Sequence, residues 1–424
     1  MLIITIVFVI GYVLIAVEHN IKIDKAATAL VTGVLCWLLF YVENHSNAES
    51  EKMLLEHLGD ISAILFFLLG AMTIVEVIDT HDGFRIIADI IRTRSKPMIL
   101  ILISVFTFFL SAILDNLTTS IVMTSLSGKL LRDRQDRLWF ASMIIIAANA
   151  GGAWSPIGDV TTTMLWIGGQ ITPGDIVVKT LIPSLMVMIV PLSVLLLRFK
   201  GQEIEEACNI DKDDHTAESN VILFSGIGLL ISVPVFKTMT HMPPFMGMLI
   251  ALGVMWIISS LIHFKKHHEE RWKYSVTNAL RRIDTSSILF FLGILLAVSA
   301  LQVIGVLGRM ADFSAMYIKN EYITGTILGL LSAVIDNVPL VAAAQGMFSL
   351  EMYPVDNAFW SFLALSAGTG GSAIIIGSAA GVAVMGIEKI NFFWYLKNVS
   401  LLALLGFFAG LGTFVFQQWI TALQ

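Results

Sequence analysis

Two short stretches place ionisable and hydroxyl groups inside long apolar segments: Ser111-Ala112-Ile113-Leu114-Asp115-Asn116-Leu117-Thr118-Thr119 and, further along, Ser332-Ala333-Val334-Ile335-Asp336-Asn337-Val338-Pro339. A carboxylate, an amide and several hydroxyls are the oxygen-rich set that a hard cation needs in place of its hydration shell. A buried carboxylate also gains proton affinity unless a cation compensates it, so one site can hold either a proton or a cation. Charged side chains in apolar segments are costly and by default mark an ion or substrate pathway. For Asp115 and Asp336 that reading outweighs a mere hairpin cap, since Asn or Ser would cap a turn without the burial cost. An anionic substrate would meet unfavourable charge at both tips unless the aspartates were neutralised, so the chemistry leans toward cation transport.

A third carboxylate, Asp159, follows the break Asn149-Ala150-Gly151-Gly152-Ala153-Trp154-Ser155-Pro156-Ile157-Gly158, whose glycines and proline free backbone carbonyls and create half-helix ends. Asn149 is read as a site residue in preference to a backbone cap. Ser111, Asp115, Thr118 and the freed carbonyls of 149–158 are candidate cation ligands. Of the Thr161-Thr162-Thr163 ladder, one or two members are expected at the site, the rest bonding their own backbone. Glu76 is expected to snorkel to the membrane edge, and Asp60 and Asp284 to cap the helices they open. Trp154, Trp166 and the methionines read as packing or interface residues. His215, His267 and His268 lie in loops, which argues against a histidine proton relay.

The elements that must hold these groups follow from composition. Of 424 residues, 56% are hydrophobic and 14% charged, against about 25% charged in a soluble domain. The apolar residues come in runs near the ~20 residues that a spanning helix needs. The chain is therefore expected to be an all-α polytopic membrane protein. Its first run, 2–17, is read as a spanning helix because a basic leader and a cleavage signal are both missing. Cys36 and Cys208 are too few and too far apart for a disulfide framework or metal site, and read as bystanders.

The second half retraces the first. Asp60-Ile61-Ser62-Ala63-Ile64-Leu65-Phe66-Phe67-Leu68 recurs as Asp284-Thr285-Ser286-Ser287-Ile288-Leu289-Phe290-Phe291-Leu292 with seven identities in nine at an offset of 224. The Asp-Asn pair recurs at 221, and Gly151-Gly152 with Gly158 at 219, as Gly370-Gly371 with Gly377. Three landmarks in one order make an internal repeat. Its units are read as 1–200 and 221–424, joined by a cytoplasmic linker at 201–220. Each comprises five transmembrane helices plus one re-entrant hairpin, with one of the helices broken. The hairpins are placed at 97–131 and 321–350, with arms of about 15 residues in the first, and the broken helices at 138–169 and 358–386. Five crossings invert the second copy. With both termini outside, 21 of the 26 Lys and Arg fall on the inner face, as the positive-inside rule requires. Inverted repeats with discontinuous helices mark secondary transporters, with the site at the midplane where the repeats meet. At the position aligned with Asp159 the second repeat has Ser378, so symmetry does not require that carboxylate.

The stretches Asp115–Thr119, Asn149–Thr162 and Asp336–Pro339 closely resemble the NhaD family of sodium/proton antiporters within the ion transporter superfamily, and the resemblance covers essentially the whole chain. It implies a bacterial inner-membrane antiporter exporting Na⁺, and Li⁺ with it, against protons. It also implies a homodimer whose scaffold helices hold the interface while the hairpins and broken helices move as an elevator. The expected partners are the lipid bilayer, the ions and a second copy, without nucleic acid or cofactor. Carried over as site residues are Ser111, Asp115, Asn116, Asn149, Asp159, Thr161 and Thr162, with Asp336 and Asn337 from the second half. Na⁺ is expected at Ser111, Asp115 and Asp159. The region 366–377 matches as the second broken helix, with a lesser role because it lacks a carboxylate. Related branches carry Na⁺ with dicarboxylates, or arsenite. Dicarboxylate carriers resemble Ser-Asn-Thr at their tips, unlike the Asp-Asn here, whereas arsenite carriers are harder to exclude by pattern, since related tips can also contain Asp-Asn. A channel would lack counter-ion coupling, and a purely structural membrane protein has no reason to keep two buried Asp-Asn tips.

Overall fold

The computed structural model describes residues 2–16, 18–43, 48–91, 93–204, 217–264, 266–318 and 320–423. Cys208, His215 and the middle of the linker, 205–216, lie outside the described residues. In the first half the order is α1 (Leu2–Ala16), α2 (Glu18–Ile21), α3 (Lys25–Glu43), α4 (Ala48–Thr80), α5 (Arg85–Ile90), α6 (Lys96–Leu114), α7 (Asn116–Leu130), α8 (Arg134–Gly152), α9 (Val160–Ile167) and α10 (Pro173–Arg198). The second half continues with α11 (Ala217–Thr240), α12 (Pro244–Ile262), α13 (His268–Lys273), α14 (Val276–Arg282), α15 (Thr285–Val303), α16 (Val306–Tyr317), α17 (Glu321–Leu331), α18 (Asn337–Met347), α19 (Ala358–Gly370), α20 (Ala379–Glu388), α21 (Phe392–Asn398) and α22 (Ser400–Thr421). Among the described residues there is no β-strand, only an isolated bridge between Ser95 and Glu203. Eight of these helices are long and apolar enough to cross a membrane. Their outward faces carry exposed Leu, Ile, Val and Phe, such as Val31, Leu38, Phe224 and Ile257. Lipid satisfies such faces and water does not, and the protein is a multi-pass membrane protein.

The helices fall into two packed groups. In one, α1 lies on α3, α3 on α15, α15 on α4, α4 on α12 and α12 on α11. In the other, α6 lies on α8, α17 on α19, and α10 on α22. The second arms cross over, α7 packing on α20 and α18 on α9. Small residues make the closest approaches. A Cβ on Gly151 would stand 2.2 Å from the Phe108 carbonyl oxygen of α6, and one on Gly370 would stand 1.9 Å from that of Gly329 on α17. Only a residue without Cβ permits either contact. The pairs are related by offsets of 219 and 221, so the same interlock occurs in both halves.

Three local expectations need correction. Asp60 caps nothing: α4 begins at Ala48, runs for 33 residues and carries Asp60 in its interior. Its repeat partner Asp284 does cap α15, accepting from the Ser287 N–H at 3.1 Å. The chain leaves the helix at Ile283 before Asp284, whereas α4 runs straight through Gly59 and Asp60. Second, α6 has 19 residues, more than the arm length read from the sequence, because it starts at Lys96 and turns only at Asp115. Third, Glu76 does not snorkel freely. It pairs with Arg282 of α14, Oε1 to Nε 2.9 Å.

Candidate functional site

The polar breaks converge at the packing of α7, α9, α18 and α20. Each helix begins with a side chain that closes its own first turn. Asp115 accepts from the Thr118 N–H at 2.7 Å, Asp159 from Thr161 at 2.9 Å, Asp336 from Val338 at 3.2 Å and Ser378 from Gly381 at 3.1 Å. A cap satisfies one of the four free N–H groups at a helix start. The rest of the partial positive charge at each N-terminus remains directed at the place where the helices meet.

Asp159 sits at the centre, 2% exposed. Its Oδ2 accepts from the Asn116 amide of the first tip at 2.9 Å and from the Asn337 amide of the second at 3.2 Å. One carboxylate therefore ties both tips together. The Asn116 amide also donates to Asn149 Oδ1 at 3.1 Å, and the Asn149 amide donates to Ser372 Oγ at 2.9 Å and Ser378 Oγ at 3.0 Å. Amide orientations are assigned from this network. The second break thus contributes two hydroxyls to the site, more than its lack of a carboxylate suggested. The signal was present, since Ser378 aligns with Asp159. By the same offset Asn149 aligns with Gly368, and this substitution opens space. A Cβ on Gly368 would lie 3.5 Å from Asp159 Oδ2 and 3.7 Å from Thr161 Oγ1.

The other expected residues divide clearly. Thr161 Oγ1 is buried beside the Asp159 carboxylate with no other hydrogen-bond partner, and a hydroxyl so placed beside a carboxylate fits a coordinated cation. The Thr162 hydroxyl is engaged with the Asp159 carbonyl at 2.9 Å, and that of Thr163 with the Pro156 carbonyl at 3.1 Å. Ser111 donates to the Ala148 carbonyl at 2.6 Å and Ser332 to the Ala367 carbonyl at 2.8 Å, so both clamp a hairpin arm to a broken helix. Thr118 Oγ1 donates to Asp115 Oδ2 at 2.8 Å. Asp115 and Asp336, half-buried, are not equivalent. Asp115 has φ 115° and ψ 161°, a conformation essentially reserved for glycine, whereas Asp336 has φ −49° and ψ 139°. Such strain persists only where the surroundings impose it. Asp336 Oδ2 lies 3.8 Å from Lys25 Nζ of α3, a pairing between the two helix groups that the sequence did not suggest.

Asp115, Asn116, Asp159, Asp336 and Asn337 line one cavity of about 50 Å³, together with the apolar Phe67, Leu68, Phe291 and Val338. Its described lining residues include no Lys or Arg. A water needs about 10–15 Å³ measured this way, so there is room for an ion and few waters. A wider cavity of about 600 Å³, lined by His57, Asp60, Gln302 and Gln345 among others, lies between α4, α9, α12, α15 and α18. Among the described residues no group of three His, Cys, Asp or Glu is arranged to hold a metal ion.

Residues 12–362 match the family model described as citrate transporter, CitMHS. The sequence is 44% identical to sodium/proton antiporter 1 of Arabidopsis thaliana, over 96% of this chain and 71% of that one. It is 30% identical to the Na⁺/H⁺ antiporter NhaD of Alkalimonas amylolytica, over 92% and 85%. The chain belongs to the NhaD antiporter family. Members of this family are transporters, not enzymes. The fold is similar to that of the YdaH transporter of Alcanivorax borkumensis, with a TM-score of 0.57 over 88% of this chain and 90% of that one at 12% identity.

Proposed function

We propose that the protein exchanges Na⁺, and Li⁺ with it, for protons across a bacterial inner membrane. The observation that carries this reading is a small cavity lined by three carboxylates, of which only Asp336 has a Lys or Arg partner among the described residues, at which four helix N-termini meet. Helix N-termini attract anions. Here the chain's own aspartates answer that attraction, so what the cavity takes up is a cation. At about 50 Å³ it is also far below the ~300 Å³ at which organic-ligand pockets begin. Asp159 is the principal cation and proton site, with Thr161 beside it and Asn116, Asn149 and Asn337 able to turn a carbonyl oxygen toward an ion. Asp115 shares the cavity and Asp336 supports the cycle.

The two helix groups serve as scaffold and moving bundle in an elevator cycle. The hairpins 97–131 and 321–350 are re-entrant in this reading, the repeats 1–200 and 221–424 have opposite membrane orientation, and both termini are outside. The wide cavity is then the outer vestibule of an outward-open state. The exposed apolar faces of the scaffold suit lipid and a second copy in a homodimer.

The test is purified protein in proteoliposomes with an internal pH dye. Added Na⁺ or Li⁺ should dissipate an imposed proton gradient. Its failure at neutral and alkaline pH overturns the proposal, and uptake of labelled citrate, succinate or arsenite would assign the chain to another transport reaction.

A further inference from the structure

The repeat singles out one carboxylate that neither the fold nor the ion cavity employs. Asp284 spends its carboxylate on the N–H and the hydroxyl of Ser287 at the start of α15. Asp60, at the matching place, lies inside α4 and has Ala63 where the other repeat has Ser287. Its carboxylate has no hydrogen-bond or ion-pair partner among the described residues. Aspartate ranks low among residues for a helix interior, so structure does not account for it.

What Asp60 does have is a position. It is the one carboxylate lining the wide cavity of about 600 Å³, and the described lining residues there include no Lys or Arg. His57, one turn back on α4, is the other titratable group on this wall. Further out on the same helix, Lys52 and Glu56 pair with each other at 3.8 Å and neither lines the cavity. A water needs about 10–15 Å³ measured this way, so a cation enters with its hydration shell intact. The wide cavity also leads to the ion cavity. Three helices line both, at positions one turn apart: Ile64 then Leu68 on α4, Leu295 then Phe291 on α15, and Ala342 then Val338 on α18. Asp60 therefore stands about 12 Å along α4 from the wall of the ion cavity.

We infer that Asp60 is the collecting charge of the cation path. It concentrates hydrated cations in the wide cavity and so sets how much Na⁺ is needed to load Asp159, without binding the ion that is carried. A charged cleft with low-dielectric walls focuses its field, and such clefts raise local counter-ion concentration by about 10–10³-fold. One carboxylate in a water-filled space acts at or below the low end of that range, about three- to tenfold. Because charge and not size is read, Na⁺ and Li⁺ gain alike.

The inference rests on the exchange reaction proposed above. Its test uses right-side-out vesicles with an internal pH dye, Na⁺ being added outside in place of choline at constant total salt. At about 0.01 M salt the screening length is about 30 Å, and at about 1 M it is about 3 Å. At low salt Asp60→Asn should raise half-saturating Na⁺ about three- to tenfold, leave the maximal rate within about twofold, and keep its melting temperature in detergent. At high salt variant and wild type should coincide. Asp60→Lys should invert the trend, its half-saturation falling as salt rises while that of the wild type climbs, a signature that a structural role would not produce. Equal half-saturation at low salt in both kinds of vesicle, a difference of the same size at both salts, or a fall in maximal rate with loss of stability would overturn the inference. A difference confined to everted vesicles, where Na⁺ meets the inner face, would support the collecting charge and overturn the outward placement of the wide cavity. If the wild type shows no Na⁺-coupled proton flux, the exchange reading has failed instead.

Discussion

Gly368→Ala isolates cation binding from folding. Gly368 lies in α19, and at its aligned position the other repeat has Asn149. A methyl there would stand 3.5 Å from Asp159 Oδ2, 3.5 Å from Ala153 Cβ and 3.7 Å from Thr161 Oγ1. These are ordinary contacts, so the helix accepts it, and alanine gains about 1 kcal/mol of helix propensity over glycine. A hard cation, however, sits about 2.3–2.6 Å from its oxygens, and the methyl fills the volume that the carboxylate and the hydroxyl jointly face. Losing one charge-assisted interaction costs about 1.5–3 kcal/mol, and each 1.4 kcal/mol is tenfold in affinity. The Na⁺ concentration for half-maximal gradient dissipation should therefore rise roughly ten- to a hundredfold, while the melting temperature in detergent holds or rises. Half-saturation within about twofold of wild type, in a stable variant, would refute placing the cation between Asp159 and Thr161.

Asp159→Asn keeps the shape but sets an NH₂ against the Asn116 and Asn337 donors, and should abolish Na⁺-coupled proton flux in a folded protein; retained flux would exclude Asp159 as the exchange site. Thr161→Val should weaken Na⁺ affinity about tenfold with little loss of stability, since the hydroxyl it removes has no partner besides the Asp159 carboxylate. Thr162→Val should cost about 1 kcal/mol of stability and leave affinity alone; the reverse pattern would overturn the assignment. Asp115→Gly relieves about 1–3 kcal/mol of strain and loses a cap of about 1 kcal/mol, so its melting temperature should hold or rise while transport falls; unimpaired transport would remove Asp115 from the site. His81, beyond the end of α4, is pushed down to about 4 by burial. Its contribution to stability is complete above about pH 6.5 and is lost as pH falls toward 4. The melting temperature should drop across that window, and His81→Leu should flatten the drop; equal slopes in both proteins would refute this.

The membrane class, the repeat offsets and the polar breaks were legible because buried charge and broken apolar runs are costly enough to mark the sequence directly. Asp159 stood out because symmetry did not demand it. What stayed hidden depends on contacts between distant segments. Nothing local shows that Asn116 and Asn337 reach one carboxylate, or that Lys25 finds Asp336 across some 300 residues. Ser372 and Ser378 were undervalued because a hydroxyl without a carboxylate resembles ordinary helix polarity. Asp60 misled for the opposite reason: it repeats the sequence of a capping residue and even follows Gly59, but the helix runs on through both. The tilted ring contact of His81 and His263, centroids 5.0 Å apart, joins residues that the sequence gives no reason to pair.

The crossing of α3 and α15 bears on how the chain is made. A Cβ on Gly33 would lie 2.4 Å from the Gly293 carbonyl oxygen, and one on Gly293 would lie 2.4 Å from the Ala29 carbonyl carbon. This contact, at backbone distance, joins the two halves. A ribosome adding about 5–20 residues per second needs on the order of 10–50 s to travel from the end of α3 at Glu43 to the end of α15 at Val303. Throughout that interval α3 is in the bilayer with its closest-packing face unmatched. Synthesis order thus gives the first half an obligatory waiting period, and the insertion machinery must shelter α3 until its partner helix emerges.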